Sequence, residues 1–158
     1  MEERAKKKEL WWQTPNLAIV QQMSQGSLVQ HLGIELVGWD ERSLSGRMPV
    51  DERTRQPAGV LHGGASVAFA ETLGTWAAVL TVDPSQTYCV GMEVNANHLR
   101  PVKTGWVWGK AEPIHIGRRS QVWGIEIRDE EGRMVCISRL TVACLEMPSQ
   151  YGKVNADA

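Results

Sequence analysis

QPAGVLHGGASVAFAETLGTWAAVL, residues 56–80, joins a broken, glycine-rich segment to a long apolar run. Pro57 and Gly59 interrupt regular structure. Gly63 and Gly64 permit close backbone approach, and from Ala65 to Leu80 only Ser, Thr, Gly and Glu71 are not apolar. A helix apolar nearly all round belongs inside a domain, so the run predicts one central helix and puts a single carboxylate, Glu71, where desolvation is costly. Two readings of Glu71 follow. In the first it lies on a narrow wet stripe with Ser66 and Thr72, or pairs with an Arg from elsewhere. In the second it does chemistry. A helix start presents unpaired N–H groups and a partial positive charge suited to an oxyanion, and His62, Gly63 and Gly64 stand there with Gln56 nearby. A base or nucleophile, an amide-lined helix start and a polar positioner are the parts that acyl transfer uses.

Outward from this run the chain reads as strands. Before it, Asn16 caps a short helix reaching Gln25, with Leu17, Val20 and Met23 on one side, and a turn covers Ser27 to Leu32. Ile34–Trp39 and Ser43–Met48 form a first hairpin. After it, Tyr88, Val90, Met92, Val94 and Ala96 alternate with Cys89, Gly91, Glu93, Asn95 and Asn97, the period of a half-buried strand. Trp106–Glu112, Gln121–Arg128 and Met134–Leu145 follow, separated by His115–Arg119 and the turn Asp129–Gly132. One buried helix followed by consecutive antiparallel strands predicts an α+β domain in which a curled antiparallel sheet wraps around the helix. The domain is expected over residues 16–147, with a charged leader at 1–15 and a polar tail at 148–158.

At 158 residues the chain holds one domain and one site. A formal net charge of −1 excludes a general affinity for nucleic acid or anionic membranes, so any phosphate recognition is local. Cys89, Cys136 and Cys144 lack metal-ligand spacing and fall in apolar strands, as reduced core residues of a cytoplasmic protein do. The leader MEERAKKKELWW lacks the apolar stretch of a signal peptide. No P-loop or G-x-G-x-x-G is present, Ser66 is outside any G-x-S-x-G, and no partner at metal spacing accompanies His62; no metal and no cofactor is expected. Two basic segments stand out. Arg100 and Lys103 flank Pro101, while His115, Arg118 and Arg119 sit at a hairpin; they read either as phosphate ligands or as solvated charges.

Gln-Pro-x-Gly-x-Leu-His-Gly-Gly-Ala-Ser (56–66) followed by Ala-Glu-Thr-Leu-Gly (70–74) resembles the hotdog-fold acyl-CoA thioesterases. Within them it resembles the branch of 4-hydroxybenzoyl-CoA thioesterases of the Arthrobacter type, enterobactin proofreading thioesterases and 1,4-dihydroxy-2-naphthoyl-CoA hydrolases. The likeness runs from Leu28 to about Glu146 and includes MPVDERTRQP, VGMEVNANHLRP and HIGRRSQVW. It implies a hotdog fold and hydrolysis of a thioester to acid and coenzyme A, the latter being part of the substrate. Glu71 would be nucleophile or general base, Gly63 the oxyanion amide, His62 and Gln56 positioning groups, and Thr75, one turn from Glu71, an aid to the water or the carboxylate. Substrate would be held by Gly91, by His98, Leu99, Arg100 and Pro101, and by His115, Ile116, Gly117, Arg118, Arg119 and Ser120. Trp76 and Phe69 are expected to line an acyl pocket. The resemblance also implies aryl-CoA or aryl-carrier-protein substrates and a homo-oligomer with shared sites, a dimer or a dimer of dimers (a homotetramer). The competing class is a non-catalytic acyl-CoA sensor on the same fold.

Overall fold

The glycines at positions 46 and 109 set where the long helix lies. The computed structural model describes residues 10–148. Its elements are α1 (Leu17–Met23), α2 (Leu28–His31), β1 (Glu35–Trp39), β2 (Leu44–Pro49), α3 (Gly63–Leu80), β3 (Thr87–His98), β4 (Trp106–Ile116), β5 (Ser120–Asp129) and β6 (Met134–Glu146). All strand pairs are antiparallel, and the order across the sheet is β1-β2-β4-β5-β6-β3. Gly46 of β2 and Gly109 of β4 are register partners and together form a saddle. A Cβ on Gly46 would lie 2.7 Å from Leu73 Cδ2 and 2.8 Å from the Glu35 carbonyl oxygen, and one on Gly109 would collide with Leu73 and lie 2.8 Å from Phe69 Cζ. Phe69 and Leu73, one turn apart on α3, are fully buried there.

The α+β arrangement of one long helix on an antiparallel sheet is as expected; the curled sheet wrapped around the helix is not. Among the described residues the sheet is open and ends at two edges, β1 and β3. α3 buries Ala65, Ser66, Phe69, Ala70, Leu73, Gly74, Ala77 and Ala78, while Glu71, Thr72, Thr75, Trp76 and Val79 form a half-buried flank. Near-uniform apolarity therefore does not mean enclosure on all sides in this chain. Phe69, expected in an acyl pocket, instead fills the saddle. Ser66 is buried rather than on the wet side.

Local patterning explains the other differences. Asn16 caps α1 by accepting from Ile19 N–H at 3.3 Å, and Val20 is buried, but Met23 faces solvent. A bulge between Gly91 and Glu93 reverses the parity of β3. Cys89 before it and Val94 and Ala96 after it face the core, which leaves Val90 and Met92 exposed. β4 continues past Glu112 through a bulge between Pro113 and His115, so His115 and Ile116 belong to the strand. Of the seven tryptophans, Trp123 is fully buried and Trp39 and Trp108 are exposed, while Trp106 stacks under the Arg47 guanidinium, 4.3 Å from the ring centre. Trp11 joins the core and its indole N–H donates to the Asp40 carbonyl at 2.7 Å, so this part of the leader packs on its own domain. The rest of the leader, residues 1–9, and the tail from 149 onward lie outside the described residues.

Gly109→Ala is expected to destabilise the fold by about 1–3 kcal/mol, the usual cost of forcing a methyl into a filled core. Urea denaturation should show a lower midpoint with an unchanged slope.

Candidate functional site

The start of α3 uses its own cap to dispose of most of its free amides. His62 takes the N-cap position in extended conformation, and its Nδ1 accepts the Gly64 N–H at 2.8 Å. The His62 N–H donates to the Thr54 carbonyl at 2.8 Å, and the Ala65 N–H returns to the His62 carbonyl at 3.0 Å. That leaves the Gly63 N–H with no acceptor among the described residues. Because Nδ1 accepts, the neutral His62 ring carries its proton on Nε2. His62 thus caps the helix with its own side chain.

Glu71 sits two turns further on, half-buried, with no hydrogen bond or ion pair among the described residues. Its carboxylate rests against the edge strand: a Cβ on Gly91 would lie 2.5 Å from Glu71 Oε1. The other end of β3 touches the helix start in the same way, since a Cβ on Gly63 would lie 2.8 Å from His98 Nε2. One edge strand therefore touches both the helix start and Glu71. Thr75, one turn beyond Glu71, is half-buried and its hydroxyl has no partner among the described residues, whereas the Thr72 hydroxyl donates to the Ala68 carbonyl. Gln56 is exposed at the tight turn that precedes the helix, its backbone N–H bonded to the Val60 carbonyl. A hollow of about 290 Å³ opens beside the helix start, lined by Leu28, Leu32, Ala65 and Ala68 with Arg53, Arg55 and His62 among its polar residues. Leu28 opens α2 and Leu32 caps its end, and a four-residue helix carries no pattern that would mark them in the sequence.

Register places the two basic segments at opposite ends of the sheet. His98 aligns with Cys136, Ile127 and Gly109 across the strands, and Arg100 N–H reaches the Val135 carbonyl. The segment 98–103 therefore lies with the helix start, where Val102 accepts the Leu61 N–H. Gly91 aligns with Val142, Gln121 and Ile116, next to the Gly117–Arg119 turn. Seven strand steps separate His98 from Gly91, roughly 23 Å at the usual rise. Within one chain the segments do not converge. They do share an electrostatic character. Arg100, Lys103, Arg118 and Arg119 are exposed and have no ion-pair partner among the described residues, while Arg47, Arg53, Lys110, Arg128 and Arg133 each hold a carboxylate.

Among the described residues no cluster of three or more His, Cys, Asp or Glu could hold a metal ion. No helix there is long and apolar enough to cross a membrane.

The protein-family model described as Thioesterase superfamily matches residues 58–136, from the turn before α3 into β6. The crystal structure of a thioesterase from Pseudomonas aeruginosa, determined as a mutant, superposes with a TM-score of 0.86 at 48% identity, covering 87% of this chain and 99% of that one. The chain belongs to the hotdog-fold thioesterase family. It is 46% identical to a 1,4-dihydroxy-2-naphthoyl-CoA hydrolase of Escherichia coli over 136 residues, 86% of this chain and 99% of that protein. A proofreading thioesterase of Cronobacter turicensis is 48% identical over 136 residues, 86% and 98% of the respective lengths. By this membership the chain is a thioester hydrolase.

Gly91→Ala should displace the Glu71 carboxylate without touching the core. With Glu71 as the candidate reacting group, thioester hydrolysis is expected to fall about 10–100-fold, the cost of an ångström-scale misplacement. Thiol release, measured with far-UV circular dichroism to confirm folding, checks this.

Proposed function

We propose that this hydrolase acts on acyl-CoA thioesters, with aryl-CoA or aryl-carrier-protein thioesters preferred, in the cytoplasm. The observation that carries the reading is an unpaired carboxylate and an unclaimed helix-start amide, both touching one edge strand. The relatives whose names specify an aryl-CoA substrate or a proofreading role support the substrate class. As a general base, Glu71 takes a proton from water, which adds to the thioester carbonyl. The charge passes to the carbonyl oxygen facing the Gly63 N–H, and collapse expels the coenzyme A thiolate. As a nucleophile, the Glu71 carboxylate adds directly and a mixed anhydride is then hydrolysed. Gln56 and His62 position the carbonyl and the amide that receives it, and Thr75 holds the water or the carboxylate.

A site of this kind requires two chains. Gly63 and Glu71 are eight residues apart on one helix, so their backbones are separated by about 12 Å. Both must come within roughly 3 Å of one carbonyl group. A two-fold partner approaching along the β3 edge sets the Gly63 end of one chain against the Glu71 end of the other. The same operation gathers Arg100 and Lys103 of one chain with Arg118 and Arg119 of the other, so that segments 98–101 and 115–120, with Gly91, hold one coenzyme A. The dimer pairs further into a tetramer.

Two experiments test this. Glu71→Ala and Gly63→Pro homodimers should each lose at least ~100-fold in turnover. A mixed dimer of the two holds one intact site and should recover about half of wild-type activity. Absence of recovery from an assembled mixed dimer would show that each chain builds its own site. Separately, Arg118→Ala and Arg119→Ala should raise KM for acyl-CoA with little change in kcat, because phosphate contacts far from the breaking bond hold ground and transition states alike. An unmoved KM at moderate salt removes the coenzyme assignment.

A further inference from the structure

Cys89 of β3 and Cys144 of β6 are direct register partners, both buried, with their sulfurs 3.8 Å apart. The Cys144 N–H donates to the Arg119 carbonyl, on the β5 side. In an antiparallel strand a residue's N–H and C=O point to the same side, so across β3 and β6 this is a non-hydrogen-bonded pair. Such pairs have Cα atoms about 4.5 Å apart, within the roughly 4.4–6.8 Å that a disulfide spans, though at its short end. The third thiol, Cys136, sits opposite His98 and Ile127 and has no cysteine across from it.

We propose that Cys89 and Cys144 form a reversible intrachain disulfide under peroxide, which staples the edge strand carrying Gly91 to the body of the sheet. In the first step one thiolate attacks the peroxide O–O bond, giving a sulfenic acid and, once a proton is taken up, water. In the second, the neighbouring sulfur displaces the sulfenic hydroxyl as a second water. Two thiols thus lose two electrons and two protons, and hydrogen peroxide is reduced to two waters. Burial, followed by the neighbouring Cys144 sulfur, pushes the Cys89 thiol up to about 12, so at neutral pH it is protonated and reacts slowly with peroxide. Small thiols reopen the bond by thiol–disulfide exchange. The staple falls two residues before the glycine against which Glu71 rests, on the strand that among the described residues has β6 as its only neighbour in the sheet.

The test uses the full chain treated with hydrogen peroxide and then desalted. Thiols titratable after denaturation should fall from the three of the reduced chain to one, with peptide mapping linking Cys89 to Cys144 within a chain. Tm measured without reductant should rise by about 5 °C or more, as expected for a crosslink closing a long loop. Dithiothreitol should restore both values. Cys136→Ser should still crosslink, while Cys89→Ser and Cys144→Ser should not. Retention of all three thiols, irreversible over-oxidation, a link through Cys136 or between chains, or a Tm that is unchanged or lower would each overturn the proposal.

Discussion

The closeness with which α3 sits on the sheet is the constraint on which the other features depend. Phe69 and Leu73 reach the floor of the saddle only because β2 and β4 offer no side chain at Gly46 and Gly109. Dispersion and apolar burial are gained together at such a contact, and a gap or a clash of a methyl group loses most of the advantage. Once those two residues are seated, the rotation of the helix is set. Glu71 then falls on the flank beside β3, and the capped start of the helix falls beside His98.

β3 is the element that meets α3 at both candidate positions. It lies at the end of the sheet, pairs with β6, and touches the helix at Gly63 through His98 and at Glu71 through Gly91. The bulge after Gly91 lets the strand turn Cys89 inward before it and Val94 and Ala96 inward after it. Without that extra residue the second half of the strand would present Glu93 and Asn95 to the core instead. A local irregularity thus keeps both contacts on one strand at once.

Much of this was legible in the sequence, for physical reasons that can be named. The glycine-rich stretch before α3, the apolar run after it and the solitary Glu71 are local signals, and they located the helix and its carboxylate. Strand positions followed from alternation and turn residues to within a few residues. What alternation does not encode is parity across a bulge, so Val90 and Met92 were placed with Val94 and Ala96. Apolarity likewise does not say how much of a helix is covered, so the half-open flank of α3 beside an open sheet carries the same signal as enclosure. The division of the basic segments between two ends of the sheet is a matter of register, which depends on contacts far apart in the chain. His62 acting as its own helix cap required coordinates, since His is an uncommon N-cap and no spacing rule points to it.

The two sheet edges are unequal. β1 has five residues and is bent by a bulge between Leu36 and Gly38, whereas β3 has twelve and exposes Val90 and Met92 beside its open backbone. A short, kinked strand is a poor template for a further chain; a long one is a good template. β1 is moreover covered by α1, whose Gln21 side chain accepts the Leu36 N–H at 3.3 Å and donates to the Ile34 carbonyl at 3.1 Å. With one edge closed in this way, strand addition at β3 would end with a pair of chains rather than a fibre.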